Sequence, residues 1–143
     1  TPDALQNILS SVNEIKHNRI ITVFGCGGDR DRSKRPLMGE VSAMLSDFTI
    51  ITSDNPRSES AERILLDIEV GFQRKKNRNY EIVVDRASAI KRAVDMCMPD
   101  DILIIAGKGH EDYFIIGNER LHFSDKETAE NMLLEKYGKN RNK

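Results

Sequence analysis

Ile20-Ile21-Thr22-Val23-Phe24-Gly25-Cys26-Gly27-Gly28-Asp29-Arg30 decides the fold. An unbroken run of β-branched and aromatic residues reads as a strand buried on both faces, and such strands belong to parallel sheets covered by helices. The Gly-rich turn that follows at once is expected at the strand's carboxyl end.

The same alternation continues on either side of this stretch. Upstream, Thr1 caps a helix, Pro2 suits its first position, Asp3 faces the positive end of the dipole, and Leu5, Ile8, Leu9, Val12 and Ile15 form its apolar stripe. Downstream, Pro36 is expected to open a helix with Leu37, Val41, Met44 and Leu45 inside. Phe48 to Thr52 is the second strand, and Ile64, Leu65, Ile68 and Phe72 mark the next helix. Arg74 to Asn79 reads as a solvated connection. Tyr80 to Val84 is the third strand, Ile90, Ala93, Val94 and Cys97 give the inner side of another helix, and Ile102 to Ala106 is the most apolar strand. Tyr113 to Ile116 and Arg120 to Phe123 read as a hairpin about Gly117-Asn118. Ser124 and Glu127 make a capping box for a last helix bearing Ala129, Met132, Leu133 and Tyr137, before a fraying tail from Gly138.

This pattern predicts an α/β, Rossmann-like doubly wound fold: a mainly parallel sheet, helices on both faces, and an antiparallel edge strand or hairpin. The 143 residues suit one domain, and 38% hydrophobic with 31% charged residues marks a packed chain rather than a disordered one. Lys and Arg total 22 against 23 Asp and Glu, so no net field draws the chain to nucleic acid or an anionic membrane. The two cysteines, Cys26 and Cys97, read as reduced thiols. With no apolar run of membrane-crossing length and no signal-like start, the expected location is the cytoplasm. The abrupt opening at Thr1 suggests a piece of a longer polypeptide.

In open α/β sheets, ligands bind beyond the carboxyl ends of the strands. Gly25 to Arg30, Asp54 to Arg57 and Gly107 to Glu111 follow three strands and are expected on one rim. The first lacks the last glycine of G-x-G-x-x-G, since Arg30 stands there, and Gly107-Lys108-Gly109 lacks the Ser or Thr and the upstream glycine of a P-loop. His110 has no second histidine or cysteine at ligand spacing, which argues against a metal site, and no partner that would make it a base. Arg30 and Arg57 facing Glu111 suit a zwitterion. A guanidinium grips carboxylate with two hydrogen bonds, while Glu111 and the Gly107 carbonyl receive an ammonium group. The competing reading is a surface ion pair of Arg30 or Arg57 with Asp54 or Glu111, contributing only ~0 to 1 kcal/mol.

Gly25-Cys26-Gly27-Gly28-Asp29-Arg30-Asp31, Lys34-Arg35-Pro36-Leu37-Met38-Gly39, Asp54-Asn55-Pro56-Arg57 and Ala106-Gly107-Lys108-Gly109-His110-Glu111-Asp112-Tyr113 resemble the C-terminal domain of the Mur ligases, in the diaminopimelate-adding branch. The similarity runs over residues 1–143. It implies ATP-dependent, magnesium-using amide synthesis in peptidoglycan assembly, in which a UDP-N-acetylmuramoyl dipeptide carboxylate becomes an acyl phosphate that the amine of meso-2,6-diaminopimelate attacks. It also implies an N-terminal UDP-sugar domain and a central ATP-binding domain absent here, so the fragment alone is expected to be inactive, and a monomer. Carried over by motif, the diaminopimelate contacts fall on Arg30, Asp54, Asn55, Pro56, Arg57, Gly107 and Glu111, with no catalytic acid or base and no metal ligand. Asp54 and Pro56 also suit simple turn-shaping roles. Asp29, Lys34 and Arg35 are expected to reach ATP or the acyl phosphate on closure. The alternatives are a free-standing amino-acid-binding regulatory module and a phosphate binder using the Gly-rich turn.

Overall fold

The computed structural model describes residues 1–107 in full and, for residues 110–115 and 120–122, the backbone pairing. Expectations that fall on Lys108, Gly109, the Gly117-Asn118 turn, the helix from Ser124 and the tail lie outside the described residues.

In chain order the elements are α1 (Pro2–Asn13), β1 (Ile20–Phe24), α2 (Lys34–Leu45), β2 (Phe48–Ile51) and α3 (Ala61–Arg74). There follow β3 (Tyr80–Ile82), α4 (Arg86–Met96), β4 (Ile102–Gly107), β5 (His110–Ile115) and β6 (Arg120–His122). The sheet order is β3-β2-β1-β4-β5-β6, parallel through β4 and antiparallel beyond it. From β1 the chain proceeds outward on one side to β2 and β3, then crosses to β4 on the other. The crevice at the carboxyl ends of β1 and β4 is therefore the topological switch point where such sheets bind ligands.

Every residue of β1 is buried because helices cover both faces. On one face, Leu5 and Leu9 of α1 and Ile64, Ile68 and Phe72 of α3 pack with Ile20, Phe24, Ile51 and Ile104. On the other, Ala89, Ile90, Ala93 and Val94 of α4 cover Ile21, Val23, Ile50, Leu103 and Ile105. Each such large side chain contributes ~1.5 to 3 kcal/mol on burial. The helix starts follow their caps: the Thr1 hydroxyl accepts from Ala4 N at 3.1 Å, and Asp85 accepts from Ser88 N at 2.9 Å.

Several expectations shift: Arg74 closes α3 rather than opening the connection, and β3 ends at Ile82 rather than Val84. Helix α1 stops at Asn13, leaving Ile15 exposed. Helix α2 begins at Lys34, with Pro36 inside its first turn, where a missing N–H costs no intrahelical bond. Its inner side is Arg35, Gly39, Ser42 and Ala43, while Leu37 and Met44 face outward at 46% and 65% exposure. The cause is a close helix crossing: a Cβ on Gly39 would lie 2.2 Å from the Ile68 carbonyl oxygen, and one on Gly71 would lie 2.2 Å from that of Pro36. Backbones this near admit only small residues between them. Finally, β5 begins at His110, three residues earlier than Tyr113, because His110, Glu111 and Asp112 pair with Gly107, Ala106 and Ile105 of β4.

Candidate functional site

The turn after β1, the turn after β2 and the end of β4 meet around a cavity of about 1130 Å³. Arg30, Lys34, Asp54, Asn55, Arg57 and Gly107 are among the residues that line it. The structure thus brings together most of the residues the sequence singled out. Pro56 stands between Asn55 and Arg57 in the same turn. Glu111 lies in β5 opposite Ala106, and its side chain is outside the described residues.

The two rim loops are built against each other. Gly28 N donates to the Asn55 carbonyl at 3.0 Å, and Arg57 Nη1 donates to the Gly28 carbonyl at 2.8 Å. A Cβ on Gly28 would fall 1.7 Å from the Pro56 carbonyl oxygen, so glycine is required by contact. Asn55 and Arg57 have φ of 43° and 53°, and Asp29 has 54°. Side chains larger than glycine visit this left-handed region rarely, and such residues cluster at ligand clamps. The cross-loop bonds are what hold them there.

The point where a Cβ on Gly27 would stand lies 2.7 Å from Arg57 Nη1 and 3.7 Å from the Arg30 stem at Cγ. At the end of β4, Gly107 has φ of 126°, and its Cβ position lies 2.7 Å from Asp54 Oδ2. The Arg57 guanidinium thus lies over the Gly-rich turn, while at the β2 and β4 ends the Asp54 carboxylate and the Arg86 guanidinium both stand beside Gly107, Arg86 Nη2 lying 3.5 Å from its Cβ position. The cavity therefore offers guanidinium donors and a carboxylate, groups that can hydrogen-bond ions of either sign. Cys26 lies in the cavity wall with its Sγ 3.4 Å from Met38 Sδ, and burial pushes its thiol up to about 12, so it is no nucleophile near neutrality.

Of the three residues expected at a phosphate, Lys34 is exposed on the rim. Asp29 spends its carboxylate on Ser58, accepting from Oγ at 2.5 Å and from N at 3.3 Å. Arg35 is 1% exposed. Its guanidinium donates to both Glu59 oxygens at 3.2 and 2.6 Å, to Asp67 Oδ2 at 3.0 Å and to the Gly27 carbonyl at 3.2 Å. That fork is occupied by the protein itself, since Asp67 of α3 packs against the start of α2. Hydrogen bonds from Arg35 and from Asp29 N hold the Glu59 carboxyl down at about 2. Burial opposes the charge of Asp67, but Arg32 and Arg35 prevail and keep it below its ordinary value.

Sequence reasoning missed Glu59, Ser58 and Asp67, whose partners lie 24 to 32 residues away. It also missed Arg86, whose Nη2 donates to the Ala106 carbonyl at 3.4 Å beside Gly107. A polar residue in a connection looks the same whether it meets water or a distant loop. The sole local signal for Arg86 was its place after the Asp85 cap.

A family model described as the Mur ligase glutamate ligase domain matches residues 1–109. UDP-N-acetylmuramoyl-L-alanyl-D-glutamate--2,6-diaminopimelate ligase 2 of Clostridium acetobutylicum is 56% identical over 93% of this chain, which covers 27% of that protein. The ligase of that name in Clostridioides difficile is 54% identical over the same shares. A solved structure of a UDP-N-acetylmuramoyl-L-alanyl-D-glutamate--2,6-diaminopimelate ligase superposes with a TM-score of 0.79 at 39% identity, over 96% of this chain and 28% of that one. The chain spans about a quarter of the length of the curated relatives it matches. Among the described residues, no helix is long and apolar enough to cross a membrane.

Proposed function

Because the chain belongs to the Mur ligase family, we propose that it is the amino-acid-holding part of an ATP-dependent ligase that joins meso-2,6-diaminopimelate to UDP-N-acetylmuramoyl-L-alanyl-D-glutamate in the cytoplasm. The observation that carries this reading is that Arg30, Arg57, Asp54, Asn55 and Gly107, from three strand ends, line one cavity, with Arg57 Nη1 set over Gly27. Diaminopimelate carries a carboxylate at each end. Arg57 with Arg30 grips the distal one, and Asp54, Asn55, Gly107 and Glu111 surround the amine and the remaining polar atoms. Lysine lacks the distal carboxylate and would forfeit the charge-assisted hydrogen bonds from the guanidinium.

ATP supplies the phosphoryl group that activates the dipeptide carboxyl, with magnesium. Among the described residues, no group of three or more His, Cys, Asp or Glu could hold that metal, and the Arg35 fork is already taken. The family resemblance assigns nucleotide and metal mainly to the parts of the enzyme outside this chain, and Lys34, exposed on the rim, is the candidate here for a phosphate. The contribution of this chain is position. Holding an amine in line with an activated carboxyl lowers the barrier by ~7 to 11 kcal/mol in favourable geometries.

The test joins this chain to the rest of the Clostridium acetobutylicum relative and measures ADP release. Turnover should depend on meso-diaminopimelate and be far weaker with L-lysine. Arg57→Ala should cost about 30-fold in kcat/KM for diaminopimelate, ~2 kcal/mol for a hydrogen bond to a charged group, with little change for lysine. Equal losses for both amino acids would overturn the assignment of Arg57.

A further inference from the structure

Between the two rim loops stands a polar cluster centred on Glu59, which is not itself among the residues lining the cavity. Glu59 Oε2 accepts from Asp29 N at 2.6 Å and from Arg35 Nη2 at 2.6 Å, while Oε1 accepts from Arg35 Nη1 at 3.2 Å. Asp29 returns the contact by accepting from Ser58. Arg35 also holds the Gly27 carbonyl at 3.2 Å, one residue from the Gly28 carbonyl to which Arg57 Nη1 donates. Glu59 thus closes a ring that runs through Asp29, Gly28, Arg57 and Ser58 back to itself.

Two features show that this ring is held at a cost. Arg57 and Asp29 both sit at left-handed φ, which neither residue adopts by preference. Arg35 is buried with its Nε lacking a hydrogen-bond partner, although a buried donor left unmade costs ~1 to 3 kcal/mol. Its fork is aimed by Glu59, Asp67 and Gly27 at the expense of that nitrogen.

We propose that Glu59, gripped by the buried Arg35, is a positioning residue: it locks the Gly-rich turn to the loop after β2 and so fixes the Arg57 guanidinium where it reads the distal carboxylate of the amino acid. This rests on the diaminopimelate reading above. It goes further by placing part of the selectivity in a residue that makes no contact with substrate. A flexible Arg57 would still attract anions, but it would lose the pre-set fork that separates diaminopimelate from lysine.

The experiment has two arms. In this chain without ligand, amide exchange at Gly28 and Asp29 and 15N relaxation of the Arg57 Nε–H are compared between wild type, Glu59→Gln and Glu59→Ala. Gln keeps the shape and one acceptor, so loosening should be graded, small in Gln and at least tenfold faster exchange at Asp29 in Ala. Wild-type protection and Arg57 order in both variants would overturn the clasp whatever the substrate. In the chimeric ligase, Glu59→Gln should raise KM for meso-diaminopimelate about tenfold, with kcat within twofold and KM for L-lysine unchanged. Equal changes for the two amino acids would reduce Glu59 to a stability residue and overturn the proposal. A wild-type chimera indifferent to diaminopimelate, with the exchange results as expected, would leave the clasp standing and overturn the substrate assignment instead.

Discussion

Arg57 Nη1 donates to the carbonyl of Gly28 at 2.8 Å, and the same glycine donates its N–H to the Asn55 carbonyl at 3.0 Å. One glycine is thereby bonded on both sides to the loop that carries the cavity's arginine. The reach of the guanidinium is set by backbone from another strand end.

Gly28→Ala should separate the two loops. Its Cβ would meet the Pro56 carbonyl oxygen at 1.7 Å, and backbone cannot yield as a flexible side chain would. The expected cost is ~1 to 3 kcal/mol in urea unfolding, typical of overpacking, together with loss of diaminopimelate-dependent turnover in the chimera. A variant with wild-type stability and activity would show that the loops do not touch in solution.

Acid should open the same contact in a defined window. Glu59 is held from its ordinary 4.5 down to about 2 by Arg35 and by Asp29 N, so its contribution is complete above the ordinary value and is lost as pH falls from about 4.5 toward about 2. Arg32 and Asp67 face the same cluster, and Asp67 titrates in the acid range too, so the difference between wild type and Glu59→Gln isolates the step. Asp29 amide protection should show an acid-dependent loss across that window in wild type that is missing from the Gln variant.

Gly71→Ala should destabilise the chain although alanine is the better helix former. In an isolated helix the change gains ~0.8 to 1 kcal/mol. Here the new Cβ would stand 2.2 Å from the Pro36 carbonyl oxygen and 2.5 Å from Glu40 N, both in α2. Overpacking of ~1 to 3 kcal/mol outweighs the propensity gain, giving a net loss of ~1 kcal/mol in the urea midpoint analysis. A gain in stability would mean that the α2–α3 crossing is looser than described.

Both thiols should resist alkylation in the folded chain. Cys97 is 1% exposed, and burial raises the Cys26 thiol to about 12. Mass spectrometry after iodoacetamide at pH 8 should find neither modified until denaturant is added. Rapid labelling of Cys26 alone would show that the cavity wall opens.

The parallel core was legible because strands buried on both faces announce themselves locally: Ile20 to Phe24 and Ile102 to Ala106 need no partner to be read. The rim was legible for a related reason, since turns at carboxyl ends of strands concentrate Gly, Asn, Asp and Pro. What stayed hidden depends on approach between distant segments. Leu37 and Met44 matched an inner stripe, but the crossing of α2 over Gly71 reserves that side for Gly39, Ser42 and Ala43. Arg35 looked like a rim cation because the burial imposed by Asp67 and Glu59 cannot be seen 24 to 32 residues away. His110 to Asp112 looked like loop because pairing with β4 outweighs their weak strand preference.

The contact of Gly28 with the Pro56 carbonyl has an evolutionary reading. Two hairpin-thin segments fitted main chain to main chain tolerate new letters but not new lengths, because one inserted residue would slide every later atom out of its seat. Relatives that share this architecture should therefore vary in side chains along the two loops while conserving the spacing on either side. An alignment of divergent paralogues should be gapless there even where the side chains have all changed.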